Sequence, residues 1–295
     1  MKFNGNIKSK MTDGAILLIA LLAAAVCIFP VLHCIALSFS GAAAADAGYV
    51  TIWPKDVQLT AYKKLLQEKA FFTALWVSVK RVLLGGGINM LLIILMAYPL
   101  LKDKRDFPQR NVYMWFMVFT MLFNGGTIPW YLSIKNYGLL DSIWALVLPC
   151  AVQVYDIILM MNFFKGIPRE MEEAAVMDGA GPLTAMARIY LPVSRPGLAT
   201  VGLFVLLYHW NNYFDGIILM NTASKLPLQS YVQQFVVALD SKQNMTTEQL
   251  LELAKMSSRT LNAAKIVVTM VPILLIYPFM QRYFTKGLVM GAVKG

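Results

Sequence analysis

The run ILLIALLAAAVCIFPVLHCIALSF, from Ile16 to Phe39, contains no charged residue. A helix needs about 20 mostly apolar residues to cross the hydrocarbon core of a bilayer. One that is apolar on every side has no face to offer water. Residues 15–39 therefore predict a membrane span. The run is too long for the core of a signal peptide and has no clear small-residue cleavage site, so it reads as a retained anchor. Five further apolar regions follow, at about 71–101, 112–134, 139–164, 197–220 and 260–280. Together they predict an all-α integral membrane protein, a single transmembrane domain over 1–295 with six transmembrane helices and both termini on one side. Composition agrees: 14% of the residues are charged, against about a quarter in a soluble domain.

Lysines and arginines set the orientation. With both termini in the cytoplasm, the N-terminal segment, 102–110, 165–195 and the tail from Arg282 hold 14 of them. The outer loops, 40–70, 135–138 and 221–259, hold 9 over more residues. That is the basic-inside bias of membrane proteins. It accounts for the net charge of +10 without nucleic acid, because no basic patch is interleaved with aromatics on a soluble module. Cys27, Cys34 and Cys150 lie inside apolar runs at no metal-ligand spacing, so they read as small buried hydrophobes and no metal site is expected. The glycine run Gly85-Gly86-Gly87 lacks the lysine of a phosphate loop, which leaves any nucleotide to a partner protein. In the longest outer segment, TTEQLLELAKM from Thr246 predicts a short amphipathic helix opened by a threonine cap.

One stretch departs from the apolar background. Between the fourth and fifth spans, the loop 165–196 crowds Glu170, Glu172 and Glu173 behind Pro168. Proline suits a first helical turn and the helix dipole favours acids there. Ala174 and Ala175 add helix propensity and a thin surface open to close approach. Asp178-Gly179 ends this helix, glycine supplying a left-handed stop. Gly181-Pro182 opens a second short helix, LTAMARIY, which Pro192 is expected to end. The product is a helix–turn–helix lying on the membrane, either a solvated connection or a docking surface for another protein.

The pattern E-A-A, three residues, G, nine residues, I-x-L-P falls in full on Glu173-Ala174-Ala175, Gly179 and Ile189-Tyr190-Leu191-Pro192. It resembles the cytoplasmic signature loop of permease subunits of ATP-driven (ABC) importers. YGLLDSIWALVLP, IPREMEEAAVMDGA and the ending QRYFTKGLVMGAVKG are similar to the carbohydrate branch, and within it to the second permease of a maltose-type pair. PLQSYVQQFV resembles the subgroup importing complex oligosaccharides, including lipoprotein-type and alginate or pectin-fragment systems. The resemblance implies a type I ABC importer permease fold in a bacterial cell membrane and no ATPase site in this chain. It also implies a second homologous permease, two ATPase subunits carrying ATP and magnesium, an extracellular solute-binding lipoprotein and an oligosaccharide cargo. Carried over, Glu173 pairs with a basic residue of the ATPase groove, Ala174 and Ala175 let the helix sit deep, and Gly179 sets the bend. Glu172, Asp178, Ile189, Leu191 and Pro192 complete the coupling loop.

Polar residues inside spans are expensive and usually face a cavity or a partner helix. The fifth span offers Tyr208, His209, Trp210, Asn211, Asn212 and Asp215, whose rings, amides and carboxylate suit sugar rings and hydroxyls. Asn124 and Trp130 flank the NGGTIP break of the third span and are candidates for an outer gate. Lys80 and Arg81 either snorkel outward or attract an anionic substrate. Asp156 is expected to pair within the bundle, and His33, beside Pro30, to serve packing. A secondary transporter is the main rival class, yet no internal repeat is visible. An intramembrane enzyme lacks a metal cluster or nucleophile–base set, and a peptide, polyamine or phosphorylated polyol remains an alternative cargo.

Overall fold

The computed structural model describes residues 7–240 and 259–292; the helix expected from Thr246 lies outside them. The described chain is helical. In order it forms α1 (Ile7–Ser38), α2 (Ala42–Asp46), α3 (Thr60–Gln67), α4 (Lys69–Leu101), α5 (Arg110–Leu122), α6 (Thr127–Asn136) and α7 (Ile143–Val147). After a short 3-10 turn come α8 (Val154–Lys165), α9 (Arg169–Met177), α10 (Pro182–Ala185), a wide π turn (Met186–Tyr190) and α11 (Leu191–Val193). The chain ends with α12 (Arg195–Asn211), α13 (Phe214–Leu219), α14 (Leu228–Asp240) and α15 (Arg259–Ala292).

Two compact units form, Met1–Lys69 with Gln234–Val271 and Ala70–Gln233 with Pro272–Gly295. In the first, Ala36, Ala44 and Val50 make a small core. His33 Nδ1 sits 2.7 Å from the Thr51 carbonyl, so it ties the end of α1 to the following loop. Lys265 is buried and reaches Glu68 at 2.8 Å. In the second unit, Ile93 and Ala97 of α4, Ile157, Met160 and Phe164 of α8, and Val201 and Val205 of α12 form the apolar core. Each recurs at helical spacing on one stripe, which is what lets three helices share a seam.

Among the described residues, three helices are long and apolar enough to cross a bilayer: Thr12–Ser38, Lys69–Leu101 and Arg259–Pro278. The count rises to five if each bent pair is one span: Ile143–Cys150 with Val154–Lys165 at 51°, and Pro182–Val193 with Arg195–Asn211 at 85°. The regions expected as the third, fourth and fifth spans are broken. Residues 112–134 divide at Phe123–Gly126, where Gly126 takes φ 90°. Residues 139–164 divide at 151–153, and 197–220 divide at Asn212–Tyr213. Backbone freed at such breaks needs other partners, and Asn89 of α4 donates to the Cys150 carbonyl at 3.1 Å.

Two local expectations change. Pro192 does not end its helix; it occupies the first turn of α11, where its missing N–H removes no bond, and the chain bends at Ser194. Pro168 stands immediately before α9 and not inside it.

Candidate functional site

Helix α9 begins with Glu170 and Glu172 in its first turn, where the unpaired N–H groups favour negative charge. Gly179 stops it with φ +82°, and the Ala180 N–H closes back on the Ala175 carbonyl at 2.8 Å. The two neighbouring glutamates then part. Glu172 is half-buried, accepting from the Tyr98 hydroxyl at 2.6 Å and the Tyr190 hydroxyl at 2.8 Å, and it pairs with Lys102. The Lys102 ammonium also lies over the Tyr98 ring, 4.6 Å from its centroid. Burial pushes the Glu172 carboxyl up, but Lys102 and the two hydroxyls outweigh it and hold the group below the ordinary glutamate range. Glu173 remains exposed.

A second clamp fixes the same helix. Arg169 forks onto Asp103, with one N–H···O distance of 2.9 Å. The pair is exposed and adds little alone, yet it ties α9 to the chain just past α4. Met186 and Tyr190 of the π turn pack into the main core beside Phe164. The hairpin is thus fastened to α4 through α9 and to α8 through the π turn, while Ala174, Val176, Met177 and Leu183 stay exposed. A groove of about 1380 Å³ runs between these elements, lined by Lys102, Asp106, Arg110, Glu173, Val176 and Leu183 among others. Asp178 is exposed, Ile189 and Leu191 are half-buried, and Pro192 is exposed.

The other candidate set divides. A cavity of about 800 Å³ is lined by Asn124 of the α5–α6 break, Trp130 in the first turn of α6, Gln153 of the α7–α8 break, and Tyr208, Asn212 and Asp215 near the α12–α13 break. Three helix breaks therefore border one polar space. His209, Trp210 and Asn211 do not line it. His209 is buried against Gly85 of α4, so close that a side chain at 85 would meet its ring; Trp210 is buried and Asn211 exposed.

Arg81 neither snorkels nor lines the cavity. It is fully buried and grips both carboxylate oxygens of Asp215, one at 2.9 Å. The same guanidinium donates to the Asn212 carbonyl at 3.2 Å. Lys80 is exposed, its ammonium 5.5 Å from the Trp76 ring centroid. Asp156 is buried, and the pairing expected for it is not found among the described residues.

Four further side chains at these two places are not singled out by the sequence: Lys102, Tyr98 and Tyr190 around Glu172, and Gln153 on the cavity wall. Lys102 follows the last residue of α4, four residues after Tyr98, and that spacing at the end of a span is a usable signal. The Glu172 contacts are long-range, and the place of Gln153 on the cavity wall follows from the α7–α8 break; neither leaves a local trace. Missed too is Asp141, at φ 57° before α7. Its carboxylate takes Lys225 Nζ and the Thr222 hydroxyl at 2.7 Å each, and the Asn221 and Thr222 N–H groups at 3.0 Å. Lys225, then Thr222, hold it well below the usual carboxylate range. Among the described residues no group of His, Cys, Asp or Glu could hold a metal.

The chain is 37% identical to the polygalacturonan/rhamnogalacturonan transport system permease protein YtcP of Bacillus subtilis (strain 168), over 98% of this chain and 100% of that one. Protein LplC of the same organism is 37% identical over 92% of this chain and 90% of its own. A crystal structure of a bacterial ABC transporter involved in the import of the acidic polysaccharide alginate contains a chain that superposes with a TM-score of 0.86. That match has 30% identity and covers 96% of this chain and 100% of the other. Residues 70–290 match the binding-protein-dependent transport system inner membrane component family. With a fastened hairpin carrying the complete signature and a polar cavity among broken helices, this chain is a member of that family, a membrane subunit of an ABC importer.

Proposed function

We propose that the chain is one permease of a heterodimer that imports an oligosaccharide, with six spans, both termini in the cytoplasm and α9 as its coupling helix. One observation carries the reading. Glu172 locks α9 to the end of α4 while Glu173, Ala174 and Val176 remain exposed on the same helix. A lever between two proteins must be rigid against its own bundle and open toward the motor, and α9 meets both conditions. A partner ATPase dimer, holding ATP and magnesium, seats the exposed side of α9; its closure moves the hairpin and shifts the bundle between inward and outward states. Glu173 is the residue that pairs with a basic group of the motor.

An extracellular lipoprotein delivers the cargo, which passes the cavity at Asn124, Trp130, Gln153 and Tyr208. Aromatic faces and amides suit sugar rings and hydroxyls. The likeness to a polygalacturonan/rhamnogalacturonan permease and to an alginate importer supports fragments of an acidic polysaccharide as cargo. The test is purification of the tagged chain from its native membrane, followed by uptake of labelled trigalacturonate by the same cells. Recovery of an ATPase and a second permease, with uptake lost on deletion of this chain, supports the reading. A chain that purifies alone and transports without ATP ends it.

A further inference from the structure

A fully buried arginine, Arg81, stands behind the proposed path for sugars, paired with Asp215. The Asp215 carboxylate borders the cavity, yet its acceptor capacity is spent. It takes two N–H groups from Arg81, the Gly216 N–H at 2.7 Å and the Asn212 amide at 3.1 Å. A carboxylate has about four lone-pair sites, so none is left for a hydroxyl of the cargo. Arg81 is equally withdrawn: it is fully buried and absent from the cavity wall.

Every other side chain on this wall is uncharged, and its hydroxyls and amides both donate and accept. Asn124 commits its oxygen to the Gly126 N–H at 2.9 Å, which leaves its NH2 as the free end of the amide. Trp130 can only donate. Carboxylates only accept. A bare Asp215 would repel a passing carboxylate, and a bare Arg81 would hold it, whereas conduction needs contacts weak enough to release.

We infer that Arg81 sets charge tolerance: by silencing Asp215, the one charged residue on the cavity wall, it leaves a neutral polar wall that passes a uronate-containing oligosaccharide. Arg81 is a positioning residue and touches no cargo. The inference rests on the transport reading of the cavity.

The test is uptake by cells expressing the complete importer, at matched membrane abundance of the chain, of labelled trigalacturonate and of its fully methyl-esterified, neutral form. Each variant is scored against the wild type for the same cargo, which cancels the preference of the binding protein. Arg81→Leu is expected to lower trigalacturonate uptake at least tenfold, and at least fivefold more than ester uptake. Arg81→Leu with Asp215→Asn is expected to regain at least half of the lost trigalacturonate uptake. Equal losses for the two cargoes, or no recovery in the double variant, would overturn the inference and assign the pair to packing. If the wild type carries only trigalacturonate, recovery in the double variant decides. A wild type that carries neither cargo refutes the acidic-cargo reading itself, and the inference falls with it.

Discussion

Glu172 turns its carboxylate onto the hydroxyls of Tyr98 and Tyr190 and the ammonium of Lys102, while Glu173, the next residue, stays exposed. Successive residues on a helix sit about 100° apart, so one short turn can serve two proteins at once. The division separates two kinds of failure.

Removing the inward contact should slacken the lever without freeing the motor. Glu172→Ala is expected to leave the ATPase subunit co-purifying but to cut uptake at least fivefold at equal abundance. Tyr98→Phe, which leaves Tyr190 and Lys102 in place, should cost less. Loss of the ATPase from Glu172→Ala would show that this residue docks the motor directly.

Reversing the outward charge should do the opposite. Glu173→Lys is expected to abolish recovery of the ATPase and all uptake, with membrane insertion intact. Retention of normal uptake would remove Glu173 from the interface.

Gly179 tests the turn alone. Nothing lies within 4 Å of a Cβ built there, so a substitution meets only the strain of φ +82°. That strain is about 1–2 kcal/mol for an ordinary residue and less for asparagine. Gly179→Asn should therefore retain more uptake than Gly179→Val. The reverse order would mean that contact, not backbone, fixes the glycine.

Gly85 and His209 test packing between α4 and α12. A Cβ at 85 would lie 2.7 Å from Nε2 of His209, an overpacking that costs about 1–3 kcal/mol. Gly85→Ala should lower the melting temperature in detergent, and His209→Ala in the same chain should recover part of it. Additive losses in the double variant would contradict the close approach.

The Asp141 clasp predicts a pH response. Its carboxyl is held below the ordinary value of 3.8, so the folded chain favours the charged form. The stabilisation is complete above that value and is lost as pH falls through the depressed one. The thermal stability of Asp141→Ala should therefore trail the wild type from neutral pH down to pH 5 with a constant gap, closing only in strong acid. A gap that already shrinks between pH 7 and 5 would point to another group.

Length and apolarity made α1, α4 and α15 legible, because a long charge-free run has few other destinations. The stop at Gly179 was equally readable, since glycine after an acidic, alanine-rich turn answers a local need. The breaks at 151–153 and Asn212 were not. They are stabilised by side chains on other helices, such as Asn89, and a window of sequence cannot see them. Arg81 was misread for the same reason: its partner Asp215 stands 134 residues away. Of the polar run in the fifth span, Tyr208, Asn212 and Asp215 line the cavity while His209, Trp210 and Asn211 do not, since a hydrophilic run in a span says which residues are costly but not which face they take.

The 85° bend at Ser194 joins the hairpin to α12 as one continuous backbone. Two rods meeting at a stiff right angle behave as a crank. Under the proposed coupling, a sideways drag on the outer arm emerges as rotation of the other arm, whose far end borders the polar space. Stiffness at that elbow, more than the strength of any grip on the hairpin, then sets how much of each stroke arrives.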